Sequence, residues 1–292
     1  MGQQAINGIF LGSIYALFAV GYTLVFGVLD ILNLAHQAVF MLCAFVAVAL
    51  VSGLHLPIAL ALPIAAAVGG VLGLFLERIA FRPLRGRADS NISGLISSLA
   101  VATIFESIAL QIWGPDVSRF PFGAFPDKPL RIGGATVSAL QITIVAIAVA
   151  LMAVLTALLS ATPLGRRIRA VAENPRAARI LGVDVDRVIA WSFFISSGLG
   201  GAAGVLFGLA FNSVSPDVGR SIELKGLAVI ILGGMGSVAG AVIAGFALGI
   251  VEVFTVAQIG SSYRDAVSFG VLFLILLVRP RGLLGRAATR EA

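Results

Sequence analysis

The sequence predicts an all-α protein, a polytopic membrane helix bundle of about eight or nine transmembrane segments with interrupted helices. Three observations carry that prediction. Mean hydropathy is +1.05, and with 59% hydrophobic and 12% charged residues over 292 positions the chain has too little polar side chain to cover a soluble globule of its size. Apolar runs of the roughly 20 residues that a crossing helix needs recur from one end to the other. Basic residues, finally, gather in a few short loops between those runs instead of spreading over a surface.

Spans are expected near residues 5–28, 33–52, 56–76, 91–113, 137–160, 188–211, 237–257 and 264–278, with a shorter apolar piece at 224–234. The first lacks a basic lead and a small-residue cleavage site, so it reads as a retained span and not as a signal peptide. The segments "ERIAFRPLRGRAD", "TPLGRRIRAVAENPRAARILGVDVDR" and "RPRGLLGRAATREA" carry four, six and four arginines, fourteen of the twenty basic residues. The bias of basic loops toward the cytoplasm puts all three inside. The piece at 224–234 must then cross or nearly cross, which gives nine segments and an external N-terminus; eight crossings with a re-entrant piece is the alternative. The same clustering accounts for the basic pI near 10.4, so no nucleic-acid partner is expected. Cys43 is the only cysteine and sits in an apolar run, which excludes an intrachain disulfide and a cysteine-rich metal site. No cofactor and no metal are expected. The whole chain, 1–292, reads as one transmembrane domain with a polar loop at 162–187.

Lipid gives helices no hydrophobic reason to associate, so close contact depends on small residues. Ser192, Ser196, Gly200, Gly204 and Gly208 form one such ridge, and Ser237, Ala241, Gly245 and Gly249 a second. Two spans look broken: "LDILNLAHQAVFM" places Asn33, His36 and Gln37 between apolar runs, and "GGMGSVAG" does the same with Gly233, Gly234 and Gly236. Backbone freed at membrane depth must be satisfied by protein or by a wet cavity, and transporters use such breaks at substrate sites. These six residues, with Glu106 as the one carboxylate expected at membrane depth, are candidates for a translocation path. Ordinary cytoplasmic turns and a structurally paired Glu106 are the alternatives.

Within the long basic segment, Thr162-Pro163 and Asn174-Pro175 are successive helix-start signals. The second helix should run from Pro175 to about Leu181, with Gly182 just past its end and Arg179 near its carbonyl pole. Seven residues do not persist as an isolated helix in water. Something must pack on Ala177, Ala178, Ile180 and Leu181, either another protein or the chain's own helix ends.

The stretches "NGIFLGSIYALFAVGYTLVFGVLDILNLAH", "ERIAFRPLRGR", "AENPRAARILGVDVDRV", "LGGMGSVAGAVIAGFALGIVE" and "RPRGLLGR" together resemble, over nearly the whole chain, the permease subunit of ABC importers for branched-chain amino acids, of the LivH type. The resemblance implies that 162–187 is the coupling loop, with Asn174, Pro175, Arg176, Arg179, Ile180, Leu181 and Gly182 seated on an ATPase subunit. It also implies a bacterial inner-membrane location with a cytoplasmic C-terminus, a second homologous permease, two ABC ATPases and an extracytoplasmic solute-binding protein; a homodimeric pore is the alternative. After the Asn-Leu-Ala-His stretch, relatives usually continue with glycine and an acidic residue where this chain has Gln37 and Ala38, so related substrates such as urea and amides stay open. No phosphate loop of the G-x-x-x-x-G-K-[ST] form occurs, so the chain is expected not to be an enzyme. The competing reading is a self-contained secondary transporter or channel using Glu106 and His36 as proton groups. An intramembrane enzyme would need a nucleophile and base, or a metal cluster, and neither pattern is present.

Overall fold

The computed structural model describes residues 1–85, 90–121, 123, 125, 129–132, 135–280 and 282–285. Arg87 of the first basic segment, Lys128 of the long loop, and Arg281, Arg286 and Arg290 of the tail lie outside the described residues. Among those described, the helices are α1 (Gly2–Leu29), α2 (His36–Gly53), α3 (Ile58–Leu76), α4 (Ser90–Trp113), α5 (Ala139–Ala161), α6 (Pro163–Glu173), α7 (Pro175–Ile180), α8 (Val185–Phe211), α9 (Val218–Gly233), α10 (Val238–Gln258) and α11 (Arg264–Val278). α3 continues through a wide turn at Glu77–Phe81 and a tight one at Arg82–Leu84. The long loop before α5 holds a feature the apolar pattern did not signal, an antiparallel hairpin of β1 (Pro129–Ile132) and β2 (Ala135–Ser138).

Eight helical stretches are long and apolar enough to cross a bilayer. They differ in burial: α1, α2 and α8 are the inner helices, α10 is half-buried, and α3, α4, α5 and α11 are the outer ones, whose bare side chains, Ile96, Ile104, Val154 and Phe273 among them, suit lipid. The inner contacts are made backbone to backbone. A Cβ on Gly8 would lie 2.7 Å from the Ile250 Cα, one on Gly12 2.7 Å from the Phe246 Cα, and one on Gly245 2.5 Å from the Ala16 Cα, so at each contact a glycine of one helix meets the main chain of the other. On the other side of α1, Ser196 donates its hydroxyl to the Gly21 carbonyl at 2.6 Å. Gly204 of α8 abuts the Phe40 carbonyl of α2. Both small-residue ridges therefore lie in helix contacts and not against lipid.

Chain direction follows from the two ends. Gln3, in the first turn of α1, exchanges hydrogen bonds with the Thr136 backbone at 3.0 and 2.9 Å, which sets the hairpin at that end. The other end of α1, Val28 and Leu29, shares a cleft with Asn174 and Pro175, which sets α6 and α7 at the opposite end. The tail joins the α6–α7 end, because Gly236, just past α9, faces Gly27 near the close of α1, and Leu283 and Leu284 donate their amides to Leu232 and Gly233 beside it. α9 must therefore run toward that end. With 16 residues it reaches about 24 Å, short of the roughly 30 Å hydrocarbon core. It begins inside the bundle: its first-turn Gly219 abuts the start of α2 at Gln37. Irregular chain at 212–217 covers the rest of the depth. The expected short piece at 224–234 is thus longer at its front, where Arg220, Glu223 and Lys225 interrupt the apolar run without ending the helix.

Gly204→Leu should lower the yield of folded protein and its thermal stability, by about 1 to 3 kcal/mol as for an overpacked core, since the new side chain meets the α2 backbone. Fluorescence-detected size exclusion with a melting scan checks this; wild-type yield and melting would show that the ridge has room.

Candidate functional site

α1 ends at Asp30, which adopts the left-handed conformation (φ 54°) and donates its amide to Phe26 at 2.8 Å. The five residues that follow are irregular, yet they return into the bundle, because His36 at the head of α2 lies against Gly21 and Gly200, mid-helix residues of α1 and α8. The freed backbone is satisfied locally. Ala35 donates to the Asn33 side chain at 3.2 Å, His36 to the Asn33 carbonyl at 3.1 Å, and Leu34 to the Ser98 hydroxyl of α4 at 3.1 Å. The His36 ring fits between Phe18 (centroids 4.8 Å apart) and Tyr22 (5.4 Å). Glycine makes that possible: a Cβ on Gly200 would come within 2.6 Å of the His36 Cε1.

Gln37 donates to Glu106 Oε1 at 2.9 Å, and Arg220 donates to Glu106 Oε2, also at 2.9 Å. Asn33, His36, Gln37 and Glu106 are thereby brought together. Arg220 is a partner that sequence reasoning missed, since it lies ahead of the short apolar piece expected at 224–234. Around this break several buried polar atoms have no hydrogen-bond partner among the described residues: Tyr22 Oη, Thr23 Oγ1, Asn33 Nδ2, Gln37 Oε1 and both His36 ring nitrogens. Buried polar atoms are nearly always paired, so such a cluster offers hydrogen bonds to water or to a polar solute.

The glycine break lies elsewhere. Gly233 packs on the Gly240 backbone, Gly234 (φ 99°) on the tail at Leu284 and Gly285, and Gly236 (φ 83°) faces Gly27. It is a turn at the α6–α7 end that seats the tail, and the structure does not bring it to the polar cluster.

A second polar cluster was not foreseen. Glu252 of α10 is fully buried, so Glu106 is not alone among carboxylates inside the bundle. Its Oε1 accepts from Lys225 Nζ at 2.6 Å and from the Tyr15 hydroxyl at 3.1 Å, and Arg264 Nε lies 3.2 Å away. Lys225 also approaches Asp265 at 3.3 Å. The sequence signal was present as one acidic residue within the span at 237–257, but its partners come from three other helices.

The polar loop folds as its start signals require. Thr162 accepts from the Gly165 amide at 3.0 Å, and Asn174 from the Arg176 and Ala177 amides at 3.0 Å each. α7 stops one residue short of expectation, with Leu181 as its cap and Gly182 left-handed at φ 80°. Its apolar face divides. Ala178 is buried against the chain, whereas Ile180 and Leu181 are 86% and 81% exposed. Behind α7, Arg85 pairs with Glu77 and with Asp186 at the head of α8, the latter at 2.9 Å. Arg176 and Arg179 line the adjoining cleft of about 720 Å³.

Residues 4–276 match the family described as the permease component of the branched-chain amino acid transport system. The chain belongs to that family. Among relatives of this branched-chain amino acid permease family, it is 35% identical over 97% of its length, and 95% of the relative's, to the high-affinity branched-chain amino acid transport permease BraD of Pseudomonas aeruginosa. It is 34% identical, with the same coverage, to the permease LivH of Escherichia coli K12. A probable branched-chain amino acid permease of Methanocaldococcus jannaschii is 27% identical over 98% of this chain. The resemblance read from the sequence stretches holds, and with it the multi-pass helical membrane architecture.

Glu106→Ala leaves the buried Gln37 amide without its acceptor and should cost about 1 to 3 kcal/mol. Glu106→Gln keeps an acceptor for Gln37 and should cost less, because the Arg220 side chain is 71% exposed and such pairs are worth about 0 to 1 kcal/mol. Thermal unfolding in detergent compares the two; equal losses would mean that the Arg220 pair holds Glu106 in place.

Proposed function

We propose that this chain is the membrane-spanning permease subunit of an ABC importer that passes branched-chain or other hydrophobic amino acids across the bacterial inner membrane, with ATP hydrolysed by two separate subunits. The observation that carries the reading is the tip of α7. Two large aliphatic side chains stand bare on a short helix that is capped at both ends and buttressed from behind, so the chain holds a hydrophobic anchor rigid without covering it. Exposed apolar anchors on an otherwise charged loop mark a protein interface. α6 and α7 bring Arg166, Arg167, Arg169, Arg176 and Arg179 to that end of the bundle, which by the positive-inside bias is the cytoplasm, where an ATPase docks. In this reading Asn174, Pro175 and Gly182 shape the coupling helix, Arg176 and Arg179 flank it, and Ile180 and Leu181 enter the ATPase groove.

The tail lies at the same end, which makes the C-terminus cytoplasmic and the hairpin external. The relatives' names support a hydrophobic amino acid as substrate. The polar break of Asn33, His36, Gln37 and Glu106 then lines the path, with Gly233, Gly234 and Gly236 at its cytoplasmic mouth. A second homologous permease completes the pore, and an extracytoplasmic binding protein delivers the substrate to the hairpin side. The chain itself is not an enzyme in this reading. A self-contained carrier has no use for the bare α7 tip.

Burying an aliphatic side chain is worth roughly 1.5 to 3 kcal/mol. Ile180→Asp with Leu181→Asp should therefore weaken ATPase binding by at least about 3 kcal/mol, over a hundredfold, while membrane insertion stays normal because the residues lie outside every span. Co-purification of the ATPase subunits reads this, and full retention would mean that α7 is not the docking element. Reporter fusions after Arg179 should report cytoplasm and fusions within 118–121 the outside; the inverse pattern would overturn the orientation.

A further inference from the structure

Under the connection between α8 and α9 lies a cavity of about 420 Å³, distinct from the polar break. Its wall includes Lys225 and Arg264 on one side, Asp217 on another, and the rings of Phe207 and Phe211. We propose that this cavity is an outer subsite for a free α-amino acid with an apolar side chain, a proposal that rests on the importer reading above and assigns the substrate its first contact inside the permease.

The cations are positioned by groups that cannot leave. Glu252 is fully buried; it accepts from Lys225 Nζ at 2.6 Å and lies 3.2 Å from Arg264 Nε, while Tyr15 donates to the same oxygen and lies 5.4 Å under the ammonium with its ring. Two cations thus converge on one interior carboxylate. The second acid near them, Asp265, is 67% exposed and touches Lys225 at 3.3 Å. Of the two acids on Lys225 it is the longer contact and the exposed one, and so the one more readily exchanged. Arg264 Nε lies 3.2 Å from Glu252 without hydrogen-bond alignment, and its side chain is 43% exposed, so its planar guanidinium can meet a carboxylate in the cavity. A substrate carboxylate takes the Arg264 fork and displaces Asp265 from Lys225.

The other end of the zwitterion has its own partner. Asp217 is exposed, starts α9 and makes no side-chain capping hydrogen bond, so its carboxylate stands ready for an ammonium group. Phe207 and Phe211, 4.6 Å apart, offer the apolar wall for an aliphatic side chain. The rings continue inward: Phe207 to Phe40 at 5.7 Å, Phe40 to Phe18 at 5.4 Å, Phe18 to His36 at 4.8 Å. A row of aromatic rings thus runs from the cavity wall to the polar break.

The test is equilibrium binding of radiolabelled L-leucine to the permease co-purified with its ATPase and permease partners in lipid nanodiscs, with no binding protein present. Leucinamide, which lacks the carboxylate, and 4-methylpentanoate, which lacks the ammonium, serve as competitors. Leucine should compete at least tenfold better than either. Arg264→Gln should weaken leucine at least tenfold while Lys225 and Tyr15 still hold Glu252. Asp217→Asn, on an exposed side chain, should weaken leucine but leave 4-methylpentanoate unchanged. Wild-type leucine binding in both variants, or no leucine binding by a complex that retains its ATPases, overturns the subsite and leaves the importer reading standing. Failure of the ATPases to co-purify with the wild type would instead count against the importer, and leucine binding to the chain alone then decides the subsite by the same variants.

Discussion

In a lipid bilayer no water is released when two helices meet, so the architecture depends on how closely their backbones approach. α1 is the helix on which this is concentrated. Gly8 and Gly12 admit α10 on one side, and Gly21 admits α8 on another, each at distances where a methyl group would collide with main chain. Dispersion and weak polar contacts fall off steeply with separation, so these glycines hold the bundle together. They also create its one roomy consequence. Because α1 and α8 are both stripped to backbone at Gly21 and Gly200, an imidazole fits between them, and α2 begins inside the bundle instead of at its end.

A helix that begins inside brings its polar start with it. Asn33 and Ser98 satisfy part of that start, and Gln37, Glu106 and Arg220 form a chain of contacts beside it. α8 links this interior to the α7 tip. Asp184 caps α8 directly after the α7 turn, Asp186 is clamped by Arg85, and Gly200 touches His36 about 24 Å further along. In the proposed importer, α8 is therefore the element through which a partner docked at α7 would reach the polar break, since it contacts both.

Much of this was legible from sequence because the signals are local. Span count, the caps at Thr162 and Asn174, the left-handed Gly182 and both small-residue ridges follow from spacing and residue type alone. Legibility ended where partners come from distant segments. Glu106 reads as an isolated carboxylate until α9 carries Arg220 to it, and Glu252 reads as a blemish in an apolar span until Tyr15, Lys225 and Arg264 converge on it. The two breaks look alike in sequence, yet Asn33 to Gln37 lies inside the bundle while Gly233 to Gly236 makes a turn at its end, because depth is set by packing against α1 and α8. The charged first half of α9 misled for the same reason: Arg220 and Lys225 resemble loop residues when Glu106 and Glu252 are out of view.

What separates an ATP-driven permease from a self-contained carrier is the source of work. In both clusters the carboxylate is held beside cations: Glu106 by Gln37 and Arg220, and Glu252 by Lys225 with Arg264 3.2 Å away. The most direct measurement is L-leucine uptake into proteoliposomes containing the purified permease complex, with the binding protein and leucine supplied on the binding-protein side and nucleotide on the other. Uptake should require ATP, cease with a non-hydrolysable analogue, and persist when an ionophore collapses the proton gradient. Uptake by the chain alone, without ATPase subunits and driven by an imposed ion gradient, would contradict the account.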